Sequence, residues 1–395
     1  MLCGSIREIS TGTVIDGVSR TMSDPIDSES QKIRVSLGQR SYDIEIGGGN
    51  LHRLGTIISA FRHIRHIVLL TDGNVAPLYA ENIAGILAED NLTVEMIIVE
   101  PGEESKSVAV AECLWERMLK VGVDRQSVVM AVGGGVVGDL AGFVAATFAR
   151  GLRFFQVPTT LLAQVDSSVG GKVGINLAGG KNMVGAFHQP IGVLIDTQTL
   201  DTLDDDQYLA GLGEVVKYGA ALDVSLFELI EANVERLLRR DGLLLRDHAL
   251  LSDIIARCCR IKANIVEQDE HETTGLRAKL NYGHTFAHAY ETLAGYGTLL
   301  HGTAVAVGLV DAAKLARELG RVDDEFVQRQ INLNRRLGLP VRFDDVDPDQ
   351  MIGLMQHDKK AVRGALRFVL PSKVGQCELV GNVEQEIVKH SLSRS

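Results

Sequence analysis

The sequence predicts an α/β domain built on a mostly parallel sheet, followed by a mainly helical domain. Three observations predict it: short β-rich runs alternate with helical patterns from Gln31 onward, glycine-rich turns follow several of those runs, and beyond about Asp201 the strand signal nearly vanishes while long amphipathic stretches continue. The expected division is residues 31–200 for the α/β part and 201–395 for the helical part. Residues 1–30, ending in "TMSDPIDSES", are polar and aperiodic and read as a loose, disordered extension.

Taken in order, "IRVSL", "YDIEI", "HIVLLTD", "TVEMIIVE", "SVVMAVGGG", "LRFFQVP" and "IGVLIDTQTL" have the apolar, β-branched character of strands. Between them "VAPLYAENIAGILAED" and "SVAVAECLWERMLKVG" carry apolar residues at helical spacing. In a sheet of this kind ligands gather at the carboxyl ends of the strands. The second part contains helical patterns such as "VSLFELIEANVERLLRR" and "GTAVAVGLVDAAKLARELG", and "RFVLPSKVGQCELV" suggests a small hairpin near the end.

Composition narrows the function. At 395 residues, with 45% hydrophobic and 23% charged side chains, the chain belongs to the soluble globular class. A formal net charge of −11 argues against nucleic acid as a partner, although cations can still converge locally on a small anion. Cys3, Cys113, Cys258, Cys259 and Cys377 show no C-x-x-C spacing, so neither a disulfide framework nor a cysteine zinc site is suggested, and a cytoplasmic protein fits. No apolar run approaches the roughly 20 residues of a membrane span, and the N-terminus lacks the basic-then-apolar order of a signal peptide.

The turn after "SVVMAV" places Gly133, Gly135 and Gly138 in G-x-G-x-x-G spacing at the start of a helix, where backbone N–H groups can approach a pyrophosphate. The acidic residue expected roughly 20 positions later in a dinucleotide fingerprint is missing, and "FFQVPTT" stands there instead. A glycine turn needed only for packing is the competing explanation. Asp72 and Asn74 after "LLT" suit ribose hydroxyls, but a turn or capping role explains Asp72 equally well. Glu103 and Lys106 in "EPGEESKS" stand in a similar loop. In "VDSSVGGKVGINLAGGKNMVGAFHQP", Gly170, Gly171, Gly174, Gly179, Gly180 and Gly185 surround Lys172, Lys181, Asn176 and Asn182. So many glycines are costly in a regular element, which favours backbone lying close to an anionic ligand.

The helical part offers Glu214 and Lys217 in "GEVVKYG", His284 and His288 in "LNYGHTFAHAY", and His301 in "LLHGTAVAVG". One carboxylate and two imidazoles make a common catalytic zinc set. Three histidines compete for two places. Spacing alone favours His284 and His288, which share a helix face, while a core or capping role is the more common fate of such a pair.

From about Asp72 to Leu370 the chain resembles the 3-dehydroquinate synthase family of sugar-phosphate cyclases, through "GGGVVGDLAGFVAATFARG", "QVPTTLLAQVDSSVGGKVGINLAGGKNMVGAFHQP" and "LRAKLNYGHTFAHAYE". The resemblance implies a Rossmann-like NAD-binding α/β domain, an all-α metal-binding domain and a homodimer. It implies Glu214, His284 and His301 as ligands of a divalent metal, zinc first and cobalt as an alternative, with His288 facing the substrate. Asp72, Asn74, Glu103, Lys106, Gly135, Val136, Val137, Gly138, Asp139, Thr159, Thr160, Lys172, Lys181, Thr199, Leu200 and Thr202 would line the cofactor. Lys172, Asp166, Asn182, Lys217, Lys262, Arg277, Asn281 and His288 would meet the substrate, joined by Arg150 reaching across a dimer and by Lys360, preferred over Lys359.

The implied reaction converts 3-deoxy-D-arabino-heptulosonate 7-phosphate to 3-dehydroquinate and phosphate, with NAD taking and returning one hydride, followed by ring opening and an internal aldol closure. Departures from the family pattern are Thr273 where an acidic residue usually precedes Arg277, with Glu272 one place further back, Thr303 two residues after His301, and "TLDDDQY". Thr303 is expected to weaken support of the metal ligand. The rivals are a sister cyclase acting on an amino analogue or a heptulose 7-phosphate, a metal-dependent polyol dehydrogenase, and a non-catalytic NAD-binding regulator.

Overall fold

The computed structural model describes residues 6–10, 30–239, 246–295, 298–344, 346–357 and 366–393. The chain divides into two compact units, Met1–Leu203 with His248–Cys259, and Asp204–Asp247 with Arg260–Ser395. The division therefore falls at Leu203/Asp204 rather than after residue 200, and His248–Cys259 groups with the first unit rather than the second. There the Cys259 thiol donates to the Gln164 carbonyl at 3.2 Å. Helical periodicity identifies the helix but carries no information about which unit it joins.

The first unit holds strands β1 (Arg7–Ser10), β2 (Gln31–Val35), β3 (Tyr42–Gly47), β4 (His66–Asp72), β5 (Thr93–Val99), β6 (Val128–Gly133), β7 (Arg153–Pro158), β8 (Lys172–Leu177), β9 (Gly180–Phe187) and β10 (Gly192–Asp196). Its helices are α1 (Leu54–Ser59), α2 (Glu81–Glu89), α3 (Val108–Lys120) and α4 (Gly135–Thr147). Eight strands form one sheet in the order β1-β5-β4-β6-β7-β10-β3-β2. The pairs from β5 through to β3 are parallel, and β1 and β2 close the two edges antiparallel. Along β4, Ile67 and Leu69 enter one apolar cluster while Val68 and Leu70 enter another, so both sheet faces are covered, as parallel strands require.

Two expectations are corrected here. Arg7–Ser10, placed in the loose extension, pairs with β5 as an edge strand; four residues are too short to show a period-2 pattern. The glycine-rich segment, expected to lie against a ligand rather than in a strand, forms the antiparallel hairpin β8–β9 with Gly174 opposite Gly185. A Cβ on Gly174 would stand 2.8 Å from the Val184 carbonyl oxygen, and one on Gly185 would overlap the Val173 carbonyl. Those two glycines serve close strand approach.

The second unit contains α5 (Asp205–Leu222), α6 (Val224–Ala232), α7 (Val234–Leu238), the end of α8 (His248–Gln268), α9 (His284–Ala294), α10 (His301–Glu318), α11 (Asp324–Arg336), α12 (Pro348–His357) and α13 (Gln385–Ser393). Strands β11 (Leu366–Lys373) and β12 (Gln376–Val383) form the small hairpin read from the sequence, so the unit is helical apart from that hairpin. Val310 and Ala313 of α10 pack on Phe326, Val327 and Ile331 of α11. Among the described residues no helix is long and apolar enough to cross a membrane.

Candidate metal and cofactor sites

In the second unit α5, α9 and α10 are drawn together by glycines. Side chains on Gly213 and Gly302 would overlap the backbone of Gly302 and Ala210, and one on Gly308 would overlap the Gly283 carbonyl. Gly283 itself has φ +78°, a conformation that glycine adopts without strain, and it starts α9. Each contact lies beside a polar residue: Glu214, His301 and His284 follow or precede these glycines directly.

The result is a group of Glu214, His284 and His301 whose potential ligand atoms all lie within 4.8 Å of one another. Nε2 of His284 is 3.6 Å and Nε2 of His301 3.3 Å from Glu214 Oε1. Both imidazoles are held from behind. His284 Nδ1 lies 3.2 Å from the Tyr282 carbonyl and His301 Nδ1 3.3 Å from Glu291 Oε2. With Nδ1–H donated to those oxygens, Nε2 is the ring nitrogen turned towards Glu214 and the one that would coordinate a metal once it carries no proton. Lys217 Nζ holds the other Glu214 oxygen at 2.5 Å. One carboxylate with two prepared imidazoles fits a divalent ion such as zinc. His288 is not part of the group, although its ring lies 5.7 Å from that of His284. The face-sharing pair favoured by spacing thus contributes one member.

Electrostatics follow the same geometry. Burial pushes His284 well below the usual imidazole value, only partly opposed by Glu214. Burial acts in the same direction on His301, but its bonds to Glu214 and Glu291 outweigh it and push the group up to about 10.

Arg277, 2% exposed, is fixed nearby in its own chain segment. Its Nη1 donates to the Glu270 carbonyl at 2.8 Å and its backbone N–H to Asp269 Oδ2 at 3.2 Å. Asp269 Oδ1 also accepts from the Thr273 and Thr274 N–H groups, so one carboxylate organises the loop. Glu272, one place before Thr273, is left-handed at φ +56°, and its carboxylate stands 3.9 Å from Arg277 Nε. Lys217 and Lys262 are also buried, while Asn281 and His288 are half-buried. Lys359 and Lys360 lie outside the described residues.

In the first unit, Lys106 is the centre of a second polar cluster. Its Nζ donates to Asp139 Oδ2 at 2.7 Å and Asn182 Oδ1 at 2.6 Å, with Glu103 3.6 Å away. Burial disfavours the ammonium, but Asp139 and Glu103 more than compensate and raise its pKa. Asn176, named in the sequence without a role, joins the parts: its amide donates to Glu103 at 2.8 Å and its Oδ1 accepts from the Asn182 N–H at 2.8 Å.

The G-x-G-x-x-G turn leads from β6 into α4 as expected, with Gly134 before the first helical residue. Part of its glycine content serves packing, since a Cβ on Gly133 would stand 2.8 Å from Val137 and one on Gly134 3.0 Å from Thr160. Gly135, Val136, Gly138 and Asp139 remain partly accessible, whereas Val137 is buried. Asp72 Oδ1 accepts from the Asn74 and Val75 N–H groups, the capping role open to it. The buried Thr159 hydroxyl has no hydrogen-bond partner. An unmatched hydroxyl beside a helix N-terminal glycine turn fits a bound dinucleotide.

Thr199 and Leu200 are buried, and the Thr199 hydroxyl is already bonded to the Asp196 carbonyl and Gln164 Nε2. Thr202 shares a 2.6 Å hydrogen bond with Tyr79. Lys172, Asn182 and Arg150 are exposed, and Lys181, Asp166 and Thr160 half-buried. Ala149 and Arg150 are both left-handed, at φ +49° and +68°, in front of Gly151 at +115°.

Sequence reasoning missed Glu291, Asp269 and Gln164. Only Glu291 left a signal: it stands seven residues after His284, on the helix face shared with His288.

Solved structures with this architecture include 2-deoxy-scyllo-inosose synthase complexed with carbaglucose-6-phosphate, NAD+ and Co2+, at 26% identity and TM-score 0.79, covering 92% of this chain and 100% of that one. Another is 2-epi-5-epi-valiolone synthase from Streptomyces hygroscopicus with NAD+ and Zn2+ bound, at 27% identity and TM-score 0.81, covering 91% and 98%. A probable glycerol dehydrogenase from Sinorhizobium meliloti, 14% identical with TM-score 0.62 over 88% of this chain and 94% of that one, shares the fold. The fold is therefore one that these sugar-phosphate synthases share with the dehydrogenase.

Closer relatives specify the family. The 3-dehydroquinate synthase of Rhodopirellula baltica is 47% identical over 373 residues, 93% of this chain and 97% of the relative, and that of Desulforamulus reducens 47% over 363 residues, 92% and 99%. The family models for the N-terminal and C-terminal parts of 3-dehydroquinate synthase match residues 96–210 and 211–361. The chain belongs to the 3-dehydroquinate synthase family.

Proposed function

We propose that this protein is a lyase that converts 3-deoxy-D-arabino-heptulosonate 7-phosphate to 3-dehydroquinate and inorganic phosphate, with NAD regenerated in each turnover and one divalent metal, zinc or alternatively cobalt. The observation that carries the reading is the prepared Glu214–His284–His301 group in a chain 47% identical to a 3-dehydroquinate synthase over 93% of its length. Once bound, the metal would acidify a substrate hydroxyl and NAD would supply the acceptor for hydride from the carbon that bears it, the same hydride going back to the substrate after elimination.

The chain's own residues have separable tasks. Glu214 Oε1 and the Nε2 atoms of His284 and His301 would hold the metal, while Lys217 pairs with the second Glu214 oxygen. Asp72, Asn74, Glu103, Lys106, Gly135, Val136, Val137, Gly138, Asp139, Thr159, Thr160, Lys172, Lys181, Thr199, Leu200 and Thr202 line the NAD site, with Asp72 free to offer Oδ2 because its turn uses Oδ1. Lys262, Arg277 and Lys360 take the substrate carboxylate. Lys172, Asn182 and Arg150 receive the phosphate as it leaves. Asp166, Lys217, Asn281 and His288 orient the sugar, which favours the one conformer that can close its ring. The same reading expects a cytoplasmic homodimer in which Arg150 serves the neighbouring copy.

The deciding experiment measures phosphate release from this substrate with zinc present and NAD well below the substrate concentration, with and without chelator. Release exceeding the NAD supplied, accompanied by dehydroquinate and abolished by chelator, is expected. No release from folded, metal-loaded, NAD-bound protein would sink the proposal. Turnover of the amino analogue or sedoheptulose 7-phosphate instead would assign a sister cyclase.

A further inference from the structure

Support for His301 comes from a different helix. Glu291 lies on α9, seven residues after His284 and therefore on the same helix face, and it is 6% exposed. Its Oε2 stands 3.3 Å from His301 Nδ1, on α10, while His301 Nε2 faces Glu214 Oε1 at the same distance. The carboxylate therefore touches the nitrogen that is not available to a ligand in this geometry. It is placed to orient the imidazole from behind rather than to coordinate.

The other histidine differs in kind. His284 is tied through Nδ1 to the backbone carbonyl of Tyr282, a contact that folding of the chain segment supplies. His301 is tied to a side chain, so its orientation is set by one replaceable group. A carboxylate acceptor fixes the Nδ1–H tautomer, increases the electron-donating power of Nε2, and adds a second negative charge near the position a cation would take.

We propose that Glu291 is a positioning residue that sets the affinity of the Glu214–His284–His301 group for a divalent metal by holding His301 through Nδ1. This rests on the metal-binding reading above. In an imidazole held only by solvent, either tautomer and a range of ring rotations are open, and binding a metal must then select one.

The test measures zinc and cobalt dissociation constants by chelator competition for the unmodified protein, Glu291→Gln and Glu291→Ala, together with the visible absorption of the cobalt-loaded forms. Outer partners of this kind are worth roughly 10- to 100-fold in metal affinity. Glu291→Gln keeps an oxygen acceptor but loses the charge and is expected near the lower figure; Glu291→Ala is expected near the upper one, with altered cobalt absorption. The melting temperature of the metal-free protein separates this from a packing defect. Should Glu291→Ala fold poorly, the near-isosteric Glu291→Gln decides. Unchanged affinity and an unchanged cobalt spectrum in a folded variant would overturn the inference. Failure of the unmodified protein to bind either metal would instead remove the reading on which it rests.

Discussion

Gly213 and Gly302 meet where α5 crosses α10, so closely that a methyl group on either would overlap the other helix's backbone. Their sequence neighbours are Glu214 and His301, two members of the candidate metal group. Gly302→Ala is therefore expected to destabilise the protein by about 1–3 kcal/mol or more through overpacking and to weaken zinc binding at the same time. Thermal melts and zinc titration of the variant would check both; a variant with normal stability and normal affinity would contradict this account of the crossing.

Glycines without such neighbours should respond oppositely. Gly85 inside α2 and Gly353 inside α12 have no heavy atom within 4 Å of a built Cβ. Replacing either by alanine should stabilise the fold by about 0.5–1 kcal/mol, the helix-propensity difference, seen as a raised denaturation midpoint.

His301 predicts a pH dependence of the metal-free protein. Its folded pKa of about 10 lies above the ordinary 6.5, so its contribution to stability is complete below pH 6.5 and disappears as pH rises towards 10. The side chain is 35% exposed, which screens the effect. His301→Gln should flatten this part of the stability profile. Metal binding at neutral pH should release a proton, detectable as a buffer-dependent heat in calorimetry.

Asp269 has the opposite sign. Backbone N–H bonds from Thr274, Arg277 and Thr273 hold its pKa to about 2, against 3.8 ordinarily. Its contribution is present above pH 3.8 and is lost as pH falls towards 2. At neutral pH, Asp269→Ala removes the shared acceptor of the loop before Arg277, and a rise of about tenfold in substrate KM with a smaller change in kcat is expected if Arg277 binds the substrate carboxylate. Steady-state kinetics would show it; an unchanged KM would count against the loop's role.

Ala149 stands at φ +49°, ψ +24°, ahead of a left-handed Arg150. A left-handed alanine costs about 1–2 kcal/mol, partly offset by the greater freedom glycine has when unfolded. Ala149→Gly should consequently raise stability by up to about 1 kcal/mol, measurable by chemical denaturation. A loss of stability would show that the methyl group contributes packing.

The core strands and the long helices were legible because their periods of 2 and 3.6 are carried by apolar residues that must be buried, as in β4 with Ile67 to Leu70. The hairpin β8–β9 was hidden because its glycines read locally as loop, and only pairing across strands explains Gly174 and Gly185. The candidate metal group was legible as residue types, yet spacing could not choose among three histidines, since the choice depends on how α10 crosses α5. Glycines 213 and 302 look like helix defects until that crossing is seen. Asp269 acts through backbone groups, which leave no pattern in side-chain sequence.

The placement of each candidate ligand directly beside a close-contact glycine also bears on design. Glu214 with Gly213, His284 with Gly283 and His301 with Gly302 form dipeptides in which docking and chemistry share one register. A helix that slides or rotates carries both members together, so the backbone positions of the group stay aligned while the helices remain docked. Transplanting the arrangement to another helical scaffold should then require three such dipeptides, their crossing geometry and an acceptor in the place of Glu291 behind His301, with the remaining helix faces open to redesign.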